Sequence, residues 1–123
     1  MLKNVLLVGL GGGIGSMLRY LSTIFITHFF QKSFPLATFT VNILGCFIAG
    51  LIFGWVENST IHHSFRWLLL VGFCGGFTTF SAFSLENVEL IRTANLWSTA
   101  LFYTVISILT GFAAVWAGIA ISK

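Results

Sequence analysis

Apolar side chains run almost unbroken through four windows of this chain: Val5 to Phe29, Leu36 to Val56, Trp67 to Ile91 and Leu96 to Ile121. A helix needs about 20 mostly apolar residues to cross the hydrocarbon core of a bilayer, so each window predicts a transmembrane helix. The connectors are short: Phe30 to Pro35, Glu57 to Arg66 and Arg92 to Asn95. The expected fold is all-α, one four-helix membrane domain over residues 1–123 with no soluble domain to carry an activity. The first window is long, contains Arg19 and lacks a small-residue cleavage site followed by a polar mature chain. It therefore predicts a retained helix and not a signal peptide.

Polar and small residues recur within the windows at helical spacing, which marks the faces that avoid lipid. In the first span the stripe is Gly12, Gly15, Ser16, Arg19, Ser22 and Thr23; in the second it is Thr38, Asn42, Gly45, Cys46 and Ala49; in the fourth it is Thr99, Tyr103, Ser107, Thr110 and Ala114. Arg19 is expected to face protein, because an intramembrane arginine costs about 2.5 to 3.5 kcal/mol even on the mild insertion scale. The pairs Gly9/Gly13, Gly11/Gly15, Gly50/Gly54 and Gly72/Gly76 match GxxxG, a spacing that lets membrane helices approach closely. Packing alone accounts for most such glycines.

The third window breaks the pattern. Gly75-Gly76-Phe77-Thr78-Thr79-Phe80-Ser81-Ala82-Phe83-Ser84 places two glycines and four hydroxyls inside an apolar stretch. At bilayer depth each backbone N–H and C=O needs a partner, so a broken helix near Gly75–Thr79 survives only where protein or an ion satisfies the freed groups. Such breaks hold ions in transport proteins, with carbonyls facing cations and half-helix N-termini facing anions.

Composition and charge agree with a membrane solvent. Hydrophobic residues make up 57% of the chain and charged ones 7%, against roughly 25% charged in a soluble domain. Six basic and three acidic residues are scattered, leaving no basic cluster for nucleic acid. With four spans, Lys3, Arg66 and Lys123 share one membrane side with Glu57, and Lys32 and Arg92 share the other with Glu89. Three basic residues against two barely bias orientation under the positive-inside rule. Either that small bias sets one orientation, or the chain inserts both ways and pairs with an inverted copy of itself.

Other chemistry finds little support. Cys46 and Cys74 lie in apolar stretches outside any CxxC or Cys/His pattern, so they read as packing residues. His62 and His63 are adjacent in a connector and read as solvated. The glycine-rich run from Gly9 fails the dinucleotide fingerprint, because Ile14 or Ser16 falls at the third glycine position. HExxH and GxSxG are absent, and Glu86 and Glu89 stand three residues apart on one span. Catalysis has no group to rest on.

An aromatic pair, Phe80 and Phe83, runs beside a hydroxyl pair, Ser81 and Ser84, with Asn87 following four residues after Phe83. Aromatic rings carry a positive edge, so ring edges beside a path can contact an anion while serine, asparagine and tyrosine protons solvate it. Ordinary packing competes with that reading, since the chain has 14 phenylalanines. The nearby break and the stripe residues Asn42, Tyr103 and Ser107 favour the path.

The run Gly72-Phe73-Cys74-Gly75-Gly76-Phe77-Thr78-Thr79-Phe80-Ser81-Ala82-Phe83-Ser84, with Val41 to Cys46 and Gly15 to Tyr20 upstream, resembles the CrcB/Fluc family of fluoride channels over essentially the whole chain. The third-span motif is the specific part; the glycine-rich start is weak. The resemblance implies an antiparallel, dual-topology homodimer in the bacterial inner membrane, with two fluoride pores and a central structural sodium ion. Carried onto this sequence, the sodium ligands are the carbonyls of Gly75 and Thr78 from each subunit. Phe80 and Phe83 match the family's pore phenylalanines, Asn42 its pore asparagine and Arg19 its first-span arginine. Glu86, Ser81, Tyr103 and Ser107 match positions of the family's polar path less closely, and Ser84, in the hydroxyl pair with Ser81, is placed on the wall of the same path. One departure stands out: the series Thr99, Tyr103, Ser107 continues as Gly111 and Val115, which cuts the hydroxyl track short unless Thr110 substitutes.

The implied function is passive fluoride export, with membrane lipid, fluoride and a second copy of the chain as partners. Three alternatives compete. Small four-span exporters of cationic drugs share the size, but they rely on a first-span carboxylate, and this first span has Arg19 and no Asp or Glu. A proton-coupled fluoride antiporter would titrate Glu86. A non-transporting scaffold would use the stripes only as interhelical glue.

Overall fold

The computed structural model describes all 123 residues and is entirely helical. Helix α1 spans Leu2–Phe29 and α2 spans Leu36–Glu57; α3 begins as a π-helix over Arg66–Cys74 and continues over Gly75–Phe77; α4 spans Phe80–Arg92 and α5 spans Trp97–Ile121. Taking α3 and α4 as one bent span, Arg66–Arg92, four helices are long and apolar enough to cross a membrane. The ends fall within a few residues of the sequence expectation. The π-type register of Arg66–Cys74 has no local sequence signal.

The third span breaks at Thr78 and Thr79, which take extended backbone angles, ψ 156° and 119°. Gly75 and Gly76 themselves stay helical, so the break is narrower than the glycines suggest and lies C-terminal to them. The cause is capping chemistry. Thr79 is the N-cap of α4, and its hydroxyl accepts the Ala82 amide at 3.1 Å, a bond that threonine supplies and glycine cannot.

The glycines serve approach. A Cβ at Gly11 or Gly15 would run into the carbonyls of Leu68 or Phe73, and one at Gly76 into that of Gly12, so α1 and α3 touch backbone to backbone. Gly50 and Gly118 bring α2 and α5 together in the same way, against the carbonyls of Val115 and Phe47. At Gly9, Gly13 and Gly75 a methyl group would meet nothing within 4 Å. Of the GxxxG pairs, Gly9/Gly13 is therefore not used within the chain.

The break changes the third span's partner. Its first half packs on α1 and its second half on α5, while α2 contacts both. A gap is left between α1 and α4. Only 18 of 123 residues are buried, among them Tyr103 and Val41 as the largest fully enclosed side chains. Phenylalanine, leucine and tryptophan side chains point outward from α1 and α5 over most of their length. So continuous an apolar exterior suits hydrocarbon and not water; this is a multi-pass membrane protein.

Candidate functional site

Four elements meet at the break. Asn42 on α2 clasps the backbone of Thr79: its Nδ2 donates to the Thr79 carbonyl at 3.0 Å and its Oδ1 accepts the Thr79 amide at 2.7 Å. This one side chain satisfies both backbone groups of a residue that is buried and outside any helical ladder, as the bilayer demands.

The clasp has a consequence for the carbonyls upstream. In an unbroken helix the Thr79 amide would go to the Gly75 carbonyl and the Ala82 amide to the Thr78 carbonyl. Here the first goes to Asn42 and the second to the Thr79 hydroxyl. The carbonyls of Gly75 and Thr78 are thus released from those partners. Gly75 is exposed, with open space where a side chain would stand.

Beside the clasp lies a cleft of about 280 Å³ whose walls include Asn42, Thr79, Phe80, Phe83 and Ser107. The Phe80 and Phe83 rings lie 5.7 Å apart and tilted, and Phe83 packs on Tyr103 at 4.9 Å. Phe80 is 79% exposed. Ser107 Oγ is buried with no hydrogen-bond partner. It is the one side-chain polar atom in the chain so placed, and it is a donor aimed at no protein acceptor.

A second polar cluster continues toward the Phe30–Pro35 end. Glu86 on α4 accepts from the Thr38 hydroxyl at one oxygen and from the Tyr103 hydroxyl at the other, the latter at 2.7 Å. Arg19 lines a crevice of about 260 Å³ between α1 and α4, shared with Thr38, Thr79 and Glu86. A further clasp ties α4 to α5: Asn87 donates to the Phe83 carbonyl at 2.9 Å and accepts from Thr104 at 3.0 Å.

Of the residues singled out in the sequence, Asn42, Phe80, Phe83 and Ser107 therefore share one cleft, and Tyr103 and Glu86 share the adjoining cluster. Ser81 is exposed next to Thr79, its hydroxyl 3.2 Å from that of Thr79. Ser84 and Thr110 each donate to the carbonyl four residues back, Phe80 and Ile106; the structure does not bring them to the cleft walls. Thr38, Thr79, Asn87 and Thr104 join the polar framework without having stood out in the sequence as site residues. Thr38 was legible as the residue four before Asn42 in the same stripe, whereas Thr104 lies off the Tyr103–Ser107 line and carried no signal.

A bent span at mid-depth, a second span clasping it and a cleft with an unused donor define a membrane ion-transport protein. Residues 6–119 match the family model described as "CrcB-like protein, Camphor Resistance (CrcB)". The chain is 43% identical to "Fluoride-specific ion channel FluC" of Flavobacterium psychrophilum, over 99% of this chain and 98% of that one. It is 46% identical to the protein of the same name from Azobacteroides pseudotrichonymphae, over 96% and 94%, and 41% identical to that of Campylobacter jejuni, over the full length of both. The chain belongs to the CrcB family, whose relatives here are named as channels and not as enzymes.

Proposed function

We propose that this chain is a passive, fluoride-selective channel whose anion path runs through the Asn42–Phe80–Phe83–Ser107 cleft. The observation that carries this reading is Ser107 Oγ, buried without a partner in the wall of that cleft. An orphaned hydroxyl is unfavourable unless something passes by to accept its proton. Fluoride is small and strongly hydrated, so a pore must replace its lost water with close donors and still release it. Ser107 and the second Asn42 amide hydrogen supply protons without fixed charge, and the Phe80 and Phe83 rings can offer positive edges. A cationic wall would hold the ion too tightly.

The working unit is an antiparallel homodimer with two such paths. Gly75, Phe80 and Ser81 are exposed beside the released carbonyls at the middle of the third span. Lipid cannot satisfy those groups at that depth, whereas a second copy of the chain can cover them. The near-balance of basic residues across the two ends supports insertion in both orientations. Released carbonyls of Gly75 and Thr78, open on that face, suit a hard cation, and unwound backbone carbonyls are sodium ligands in other membrane proteins. A sodium ion held by them would neutralise the converging carbonyl dipoles of the two copies. Glu86, Tyr103 and Thr38 extend the path outward, and Arg19 raises local anion concentration from its crevice.

The direct test is efflux of fluoride and of chloride from proteoliposomes carrying the purified protein. Fluoride is expected to leave rapidly and chloride to stay; equal rates for the two would end the proposal.

A further inference from the structure

A recess of about 860 Å³ lies at the Phe30–Pro35 end and is walled by Thr23, Thr27, Lys32, Ser33, Thr38 and Glu86 among others. It shares Thr23, Thr38 and Glu86 with the Arg19 crevice, so the two hollows have a common wall. Lys32 stands exposed at its mouth, in the connector after α1. The carboxylate of that wall, Glu86, has its two oxygens bonded to Thr38 and Tyr103 and to neither cation. The positive charges of Lys32 and Arg19 are thus not spent on it. The start of α2, which carries no side-chain cap, adds positive partial charge to the same wall.

We propose that Lys32 is an entry-steering residue: its ammonium draws small anions from solution into this recess, from which they reach the Glu86–Tyr103 cluster and then the cleft. The inference rests on the channel reading above and adds a residue to it. With Lys32 and Arg19 against the single carboxylate of Glu86, the two hollows carry a net positive charge, and such a recess with low-dielectric walls focuses field and raises the local concentration of the opposite ion. A single ammonium several ångströms from the ion, in water, changes that concentration by roughly two- to threefold. In an inverted dimer the two recesses open on opposite sides, so the effect applies to flux in both directions.

The test compares wild type, Lys32→Gln, Lys32→Arg and Arg92→Gln in proteoliposomes at subsaturating fluoride, with sodium held constant and ionic strength set by an impermeant salt. Arg92 is a cation at the same end of the membrane that lines a different hollow, with Glu89. At about 10 mM salt, where charges act over about 30 Å, Lys32→Gln should lower initial flux roughly two- to threefold; at about 1 M, where they act over about 3 Å, the loss should vanish. Lys32→Arg should match wild type at both. Unchanged flux in Lys32→Gln at low salt would overturn the inference, as would a loss that persists at high salt or an equal loss in Arg92→Gln. Failure of the channel reading itself would look different, since wild type would then pass no fluoride at any salt.

Discussion

Ser107→Ala separates a pore donor from a structural hydroxyl because the two roles move stability and flux in different directions. Hydroxyls inside membrane helices usually return their proton to the carbonyl one turn back. Thr23, Thr78, Ser84 and Thr110 all do so here, at 2.5–2.9 Å. Ser107 does not, and no other protein group takes its proton. A buried polar group without a partner costs about 1–3 kcal/mol, so Ser107→Ala should leave the fold equally or more stable by up to that amount. A hydrogen bond to a charged partner contributes about 1.5–3 kcal/mol. If fluoride makes that bond at its barrier, the substitution should slow efflux roughly tenfold to a hundredfold, at about 1.4 kcal/mol per factor of ten. Thermal unfolding in detergent and initial fluoride efflux from proteoliposomes read the two effects separately. Wild-type efflux in Ser107→Ala would refute the reasoning, and so would a loss of stability above about 1 kcal/mol.

Asn42→Ala should strip both Thr79 backbone groups of their partner, lowering stability by about 1–3 kcal/mol and abolishing flux; Asn42→Asp keeps the acceptor toward the Thr79 amide but sets a second acceptor against the Thr79 carbonyl and buries a charge when ionised, so it should be at least as destabilising in the same unfolding assay. Gly15→Ala drives a methyl into the Phe73 carbonyl and to 2.9 Å from the Phe77 amide, and should cost about 1–3 kcal/mol of thermal stability. Gly13→Ala, with nothing within 4 Å, should be neutral or stabilising, as alanine is the better helix former by about 1 kcal/mol. Phe83→Ile removes the ring set 4.9 Å from Tyr103 and should slow fluoride while size-exclusion chromatography still shows the wild-type assembly; unchanged flux would return Phe83 to ordinary packing.

The spans and the stripes were legible because a bilayer imposes one length and one polarity rule on each helix. The break was legible as a region but not to the residue. Glycines invite a break, yet Gly72 and Gly76 are used for contact with α1, and the chain departs from helix where Thr79 and Asn42 together replace the lost bonds. That replacement is a tertiary fact: Asn42 sits 37 residues from its partner, and only packing reveals which carbonyls are released. The four-residue spacing of Tyr103 and Ser107 marks a line along α5, but spacing cannot tell that Tyr103 is committed to Glu86 while Ser107 is left free. The π-type register of Arg66–Cys74 lay beyond sequence reading, since an arginine at its start and the single Gly72 within an apolar run are equally compatible with an ordinary α-helix.

The central claim is that fluoride crosses passively and alone, and the reversal potential of the fluoride current across a planar bilayer tests it most directly. With fluoride gradients imposed at constant pH and then with a pH gradient added, the account predicts reversal at the fluoride equilibrium potential in both cases. A reversal potential that shifts with the pH gradient, or that follows chloride, would contradict it.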